Sequence, residues 1–499
     1  MTASILHRTP LLTAPLLTAP LLAVLLLAGC AAPGLRQPEI EVPVASKESP
    51  DAVQLAADGS RWRPARPAEA QPRGQWWLAF HDPALDELIR EASRNNASLG
   101  VAAARVKQAR AIAGIAQADR VPQLGLDGGA RRGRPSAHDA GAFQGNPAAP
   151  QNTYTASLSA SYEVDLFGRV AANVEAARSD ARAAEASYRS VLLSLQADVA
   201  QTWFRLRALD AELETVRRAV RLREESVGVT QRRFDLGDIG EFDLTRARTE
   251  LATTRAEAVG LLRQRTTAEH ALAVLLGRPA AHFTAPANPL PDTAALPVVP
   301  GGLPSALLER RPDIAAAQRT MEAANARIGV ARAAVFPALS INAAGGGVAG
   351  TVADVFTWSS RSWVLGALLS LPVVDGGRNR ANIVRSEAAL EEAVGAWRQS
   401  VLGAFAEVED NLAGLRILAE QGAQLDQAVL SARRSEQLAR KLYDAGRSSY
   451  LDLLDAQRNL ATAERSAVQL RGSRAVTTVA LIRALGGGWE APARQGGDS

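Results

Sequence analysis

The chain has 499 residues, 47% apolar and 22% charged, which is ordinary for a folded protein and too long for one compact core. Its 56 basic and 52 acidic residues leave a net charge of +4, scattered without a long basic run, so no nucleic-acid footprint is present. A single Cys and five His, none at metal-ligand spacing, exclude disulfides and a zinc or thiolate cage, and nothing indicates a cofactor.

Residues 1–29 read as an export leader. His7 and Arg8 open it, an apolar stretch interrupted by Pro10, Pro15 and Pro20 follows, and Leu27-Ala28-Gly29 runs directly into Cys30. The clean run Leu21–Ala28 is far short of the roughly 20 residues of a spanning helix. A small-residue pair before the only Cys resembles the lipobox of bacterial lipoproteins, in which the Cys becomes an acylated N-terminus. Ala31 follows, not the Asp that retains such proteins at the inner membrane, so an outer-membrane anchor is expected. Residues 30–82 then read as a tether, rich in Pro, Ala, Glu and Arg, whose Trp62, Trp76, Trp77 and Phe80 suggest docking of its later part.

The remainder reads as one unit written twice, over 83–280 and 304–487, with a linker at 281–303 and a tail at 488–499. At an offset of 209, Arg169–Asn173 falls on Arg378–Asn382, Phe234–Gly237 on Tyr443–Gly446 and Leu276–Gly277 on Leu485–Gly486, without a gap between them. Each copy starts with a helical stretch (83–120 and 304–335) opened by Pro83 or Pro304 and closed by Pro122 or Pro337. Paired alternating segments follow. From Tyr154 to Asp165 every even position is apolar or aromatic and every odd one polar; residues 338–344 and 362–375 alternate less strictly. Gly345–Gly350 formally fits G-x-G-x-x-G, but a second alternating segment follows it rather than a helix, so a flexible hairpin turn is expected and not a nucleotide loop. Very long helices are expected at 169–235 and 378–444, where apolar or small residues recur in steps of three and four, the mark of a coiled-coil seam. Sixty-odd residues of helix make a rod on the order of 100 Å. Turns at Gly237–Gly240 and Gly446–Ser449 lead into return helices ending at Gly277 and Gly486.

Two strand pairs give four strands with one lipid-compatible face. A four-stranded open sheet is untenable in a bilayer, because every backbone donor and acceptor there needs a partner. Single-chain outer-membrane barrels have at least eight strands. The chain is therefore expected to share a barrel with copies of itself.

The wording of the segments resembles the outer-membrane efflux proteins of TolC-like fold, in particular the lipid-anchored OprM/NodT branch. The pieces that carry it are Trp77 with Phe80–Leu85, Tyr162–Arg169, Leu307–Ile314, Ala331–Pro337, Pro372–Arg378, Tyr443–Gly446 and Tyr450–Arg458. The resemblance implies a mainly α, internally duplicated chain with a small β portion. It implies a homotrimer with a twelve-stranded barrel in outer-membrane lipid and a helical tunnel in the periplasm. It further implies docking to a periplasmic adaptor and an inner-membrane pump of the resistance-nodulation-division type, and passive conduction of drugs or small toxic molecules without enzymatic chemistry. Type I protein secretion, metal-ion efflux and a non-conducting lipid-anchored coiled-coil scaffold are the alternatives. The lone Met of the chain after the leader, Met321, offers no thioether ladder for copper, and a scaffold has no use for lipid-facing strands.

By the same resemblance the constriction of the tunnel falls on Leu451 and Asp455, with Tyr443 and Arg458 in the polar links that hold the tip shut. At the 209-residue offset the first copy carries Phe242 and Arg246 instead, and Arg246 joins the supporting links. Only the second copy thus presents a carboxylate, and a ring of Asp455 should favour cations and close in a pH-dependent way. Glu163 and Asp165 are read as polar-face strand residues that could line the lower lumen, and Glu407, Glu409 and Asp410 as a solvated helix face.

Overall fold

The computed structural model describes residues 74–134, 150–291 and 310–487, together with 34, 35, 38, 40, 42, 43, 46–48, 296, 297, 299 and 308. Cys30, the leader, Pro304 and the C-terminal tail lie outside the described residues. The elements run α1 (Pro83–Asn95), α2 (Ala97–Ala118), β1 (Gln123–Gly133), β2 (Gln151–Val164), α3 (Arg169–Asp235), α4 (Glu241–Leu275), α5 (Pro312–Ala333), β3 (Ala338–Ala349), β4 (Arg361–Ser370), α6 (Arg378–Asp444) and α7 (Tyr450–Ala484). The internal duplication is plain in this order. α3 and α6 have 67 residues each, and α4 and α7 have 35 each. No helix among the described residues is long and apolar enough to cross a membrane.

The chain divides into two compact units. One, built from residues 106–183 and 317–397, contains the sheet. Its strands lie in chain order, β1-β2-β3-β4, each antiparallel to the next. Directly opposed residues share a face, so the pairing Leu126↔Leu158↔Gly345↔Trp363 sorts the whole sheet. One face carries Leu124, Leu126, Tyr154, Leu158, Tyr162, Leu339, Ile341, Trp363, Leu365 and Leu369; the other carries Thr155, Ser157, Ser159, Ser161 and Asp127 on β1 and β2, with Val348, Val364 and Leu368 on β3 and β4. On the polar face Ser159 Oγ–H donates to Asp127 at 2.7 Å. Apart from Val355, which covers Gly347 near the hairpin end, the apolar face has no core beneath it among the described residues. Trp363, Leu365, Leu369 and Leu126 are all exposed, and β1 and β4 are both edges.

The glycine run corrects one sequence expectation. Gly345–Ala349 is strand, not turn, and only Gly350 lies beyond β3. A Cβ at Gly346 would come within 2.1 Å of the Ala156 carbonyl oxygen, and one at Gly347 within 1.8 Å of the Val355 oxygen. Glycine is required there by close backbone approach rather than by a turn. The first helical stretch also differs, being broken at Asn96. The Asn96 backbone turns extended, its Nδ2–H donates to the Leu275 carbonyl at 2.9 Å, and its Oδ1 receives Leu99 N–H.

The second unit, built mainly from residues 74–105, 184–316 and 398–487, holds the larger core. Trp76, Trp77, Phe80, Leu85 and Ile89 pack there against Trp203, Phe204 and Leu206 of α3, Leu272 of α4, and Val479 and Ile482 of α7. Asp82 organises this packing. Its Oδ1 accepts the N–H groups of Ala84 and Leu85 and so caps α1, while its Oδ2 receives Trp203 Nε1–H and Arg207 Nη1–H, each at 2.8 Å. Arg311 plays the matching part later in the chain, donating to Asp313, to Glu407 at 2.7 Å and to the Ala484 carbonyl. Burial works against the Asp313 charge, but the Arg311 guanidinium more than offsets it and holds the carboxyl below its usual range. The acidic group of α6 is therefore not only a solvated face. Glu407 serves Arg311, and Glu409 accepts the backbone N–H groups of Lys47 and Glu48 at 2.9 and 3.1 Å, fixing that part of the N-terminal segment.

Candidate functional site

The helix-hairpin ends in the second unit bring the proposed gate residues together. Both long helices stop in the same way. Gly237 and Gly446 take left-handed backbone (φ 75° and 68°), Asp238 N–H bonds back to the Arg233 carbonyl, and Arg447 N–H bonds to that of Leu442. This pairing satisfies the last carbonyls and needs a residue without Cβ strain. The return helices start differently. α4 follows Gly240, which provides no side-chain cap, whereas Ser449 and Asp452 form a reciprocal capping box at the start of α7. Donation from the Ser449 hydroxyl and backbone N–H keeps the exposed Asp452 carboxyl below its ordinary range. The hairpin of the second copy is the more firmly fixed at its turn.

Below the turn an apolar plug of Ala247, Tyr450 and Leu454, flanked by Val227 and Tyr443, joins the two hairpins. The Tyr443 ring lies 6.0 Å from that of Tyr450, and the Arg233 guanidinium stands 5.4 Å over it. Tyr443 thus supports the tip through ring contacts. Burial pushes the Tyr450 hydroxyl above its usual range, with Arg223 and Arg246 opposing that push. Arg246 makes no ion pair among the described residues.

Leu451 and Asp455 both lie on an exposed face of α7, and the Asp455 side chain is 57% exposed. Arg458 stands one turn on, with its Nη1 3.8 Å from Asp455 Oδ1. Its tighter partner is Glu250 of α4, which it also reaches through Nε at 3.1 Å. Glu250 in turn receives Arg223 Nη1–H of α3 at 2.8 Å, in a pair whose side chains are only 11% and 12% exposed. Burial lowers the Arg223 pKa from its ordinary value. Glu250 is therefore a hub tying α7 of the second copy to α3 and α4 of the first.

Glu250 and Arg223 are functional candidates that the sequence reading missed. The available signal was asymmetry: at the 209-residue offset they face Asn459 and Ala432, so the charges have no counterpart in the other copy. Further along the hairpins the copies exchange charge in place. Glu224 pairs with Arg255 at 2.7 Å, and the equivalent positions hold Arg433 paired with Glu464 at 2.6 Å. Arg465 makes a second tie between copies, to Glu257 and Glu212.

In the sheet-bearing unit, Glu163 and Asp165 are both engaged. Glu163 holds Arg169 in a two-pronged ion pair at 2.7 and 2.6 Å. Asp165 lies one residue beyond β2, and its carboxylate accepts Val170 and Ala171 N–H at 3.0 and 2.8 Å, capping α3. Asp375 performs the same service for α6 through Gly377 and Asn379 N–H.

Comparison with known proteins places these features in context. The model of the outer membrane efflux protein family matches residues 88–278 and again residues 303–487. The pyoverdine export outer membrane protein OpmQ of Pseudomonas aeruginosa is 36% identical over 443 residues, covering 88% of this chain and 92% of its own length. The cation efflux system protein CusC of Escherichia coli is 32% identical over 420 residues, covering 83% and 88%. Among solved structures, the outer membrane protein VceC of Vibrio cholerae superposes with a TM-score of 0.77 at 30% identity, covering 84% of this chain and 100% of that one.

Proposed function

Because the chain belongs to the outer membrane efflux protein family, we propose that three copies form the exit channel of a tripartite efflux pump, gated at the hairpin tips. The observation that carries this reading is the sheet with two open edges and an exposed apolar face. Twelve strands from three copies close such edges and leave no backbone group unpaired in lipid. Along β2 the apolar positions run from Tyr154 to Val164. At about 3.3 Å per residue and a tilt near 40° they cover roughly 25 Å, the height of an outer-membrane apolar band.

The helical hairpins form the periplasmic tunnel, which meets an adaptor and an inner-membrane pump of the resistance-nodulation-division type. Leu451 and Asp455 narrow its end, and Arg458, Glu250 and Arg223 hold the two hairpins of each copy together around that constriction. Tyr443 and Arg246 support the tip through Tyr450. Glu163 lies on the polar strand face and contributes to the lower lumen. Cys30 carries acyl chains that anchor the mature N-terminus in the outer membrane. The chain performs no chemistry of its own. OpmQ and CusC are named for quite different cargoes, a pyoverdine and a cation, so cargo selection is assigned to the pump.

The test is single-channel recording on Leu451→Ala together with Asp455→Ala. The gate assignment requires a higher conductance or entry of a bulky antibiotic into cells. A double variant that matches wild type in both assays removes it.

A further inference from the structure

At the hairpin end of β3 and β4, three aromatic side chains stand in the open. Phe356 is 81% exposed, Trp358 78% and Trp363 82%. Water is a poor surrounding for three such rings, and the interfacial zone of a membrane is a good one. Between them lies a cation. Arg361 is the first residue of β4 and shares the face of Trp363, Leu365, Ala367 and Leu369, the face apposed to lipid under the channel reading. Its guanidinium carbon sits 3.6 Å from the centroid of the Trp358 ring. No carboxylate forms an ion pair with it among the described residues. Asp354, close by in sequence, instead accepts the Thr351 hydroxyl at 2.6 Å. Arg132, near the end of β1, is a second exposed cation on the same face at a hairpin end, paired with Asn152 in the sheet register.

A guanidinium on an apolar, lipid-facing surface is costly unless an anion or water meets it. Stacking on Trp358 holds the group flat and leaves its N–H fork free, the geometry that suits phosphate oxygens. We propose that Arg361 and Trp358 form a binding site for the phosphate of an anionic lipid in the outer leaflet, with Phe356 and Trp363 seating its acyl chains. The site lies at the hairpin end, opposite the end of the strands that leads into the helices, which is the outer end of the barrel. It rests on the channel reading above, since only a barrel in lipid turns this face toward the bilayer. In this assignment the charge selects the head group and the rings fix its depth.

The experiment is native mass spectrometry of the purified full-length trimer in mild detergent, titrated with lipid A, dephosphorylated lipid A or inorganic phosphate. Wild type should retain lipid A, while Arg361→Ala should bind it about fivefold more weakly or worse, the loss expected for one basic group at an anionic lipid surface. Arg361→Lys keeps the charge without the stacked fork and should fall between them. Dephosphorylated lipid A should bind wild type no better than lipid A binds Arg361→Ala, and inorganic phosphate at matched concentration should not displace the lipid. Equal retention by wild type and Arg361→Ala, equal binding of the dephosphorylated lipid, or displacement by free phosphate overturns the site. The same preparations are recorded in planar bilayers. Pores without phosphate-dependent lipid retention refute the lipid site alone, whereas loss of both trimer and pore refutes the channel reading and the site with it.

Discussion

Under the proposed gating, replacing Glu250 by Ala should loosen the closed tip. Glu250 accepts from Arg223 within a pair about nine-tenths buried and from the half-exposed Arg458. Removing one partner of a buried pair leaves an uncompensated charge and costs about 3 kcal/mol. The Arg458 arm is solvent-screened and contributes about 1 kcal/mol at most. Burial already disfavours the charged form of Arg223, and its Nε has no hydrogen-bond partner among the described residues, so that side chain has no ready substitute for Glu250. Arg223 lies in the same hairpin as Glu250, so losing that pair weakens the hairpin itself, whereas the tie to the other hairpin that opening breaks is the Arg458 arm. A loss of about 1 kcal/mol there changes the closed-to-open ratio roughly fivefold, so a tip closed about 99% of the time would fall to about 95%. Planar-bilayer recording at neutral pH is the assay, with Glu250→Gln as the control that keeps an acceptor but no charge and should open less. Glu250→Ala channels with wild-type conductance and open probability would refute the assignment of Glu250 as the latch.

Asp455→Asn should reduce cation preference without changing pore stability, read as a shift in reversal potential across a salt gradient; an unchanged potential would place Asp455 outside the conduction path. Asp313 and Asp452 both have carboxyls held below their ordinary range. Their stabilisation is therefore complete at neutral pH and is lost as pH falls from about 4 through the lowered folded values. Thermal melts taken between neutral pH and about pH 3 should show that loss, and Asp313→Asn should flatten it. Gly277→Ala should destabilise by about 2 kcal/mol or more, because its φ is +73° and its Cβ would lie 2.4 Å from the Asn95 oxygen. Gly446→Ala, at φ +68° in open space, should cost only about 1 kcal/mol, and denaturant titrations distinguish the two.

Much of this fold was legible in the sequence for identifiable reasons. The seam of apolar residues at three- and four-residue steps marks α3 and α6 from end to end, and Gly237 and Gly446 mark their stops, because those signals are local. Strand β2 was legible because its two faces differ in polarity at every step. The run Gly345–Gly347 was not, since glycine carries no side chain with which to declare a face, and its role depends on the approach of Ala156 and Val355 from elsewhere. The break at Asn96 was missed for a similar reason: its amide answers to the Leu275 carbonyl, far along the chain. At the candidate gate the exposed members Leu451 and Asp455 came through resemblance, but the ties behind them did not. An ion pair between Arg458 and Glu250 leaves no periodic trace, and neither residue is unusual within its own helix. The duplication held the missing signal, since charges that one copy carries and the other lacks are where the two hairpins differ.

In the proposed channel the open edges of β1 and β4 are closed by other copies, and the mass of the assembled particle tests that directly. Size-exclusion chromatography with light scattering in mild detergent, followed by bilayer recording of the same fraction, should give three chains per particle and a conducting pore. A stable particle of one chain that conducts nothing would contradict the shared barrel.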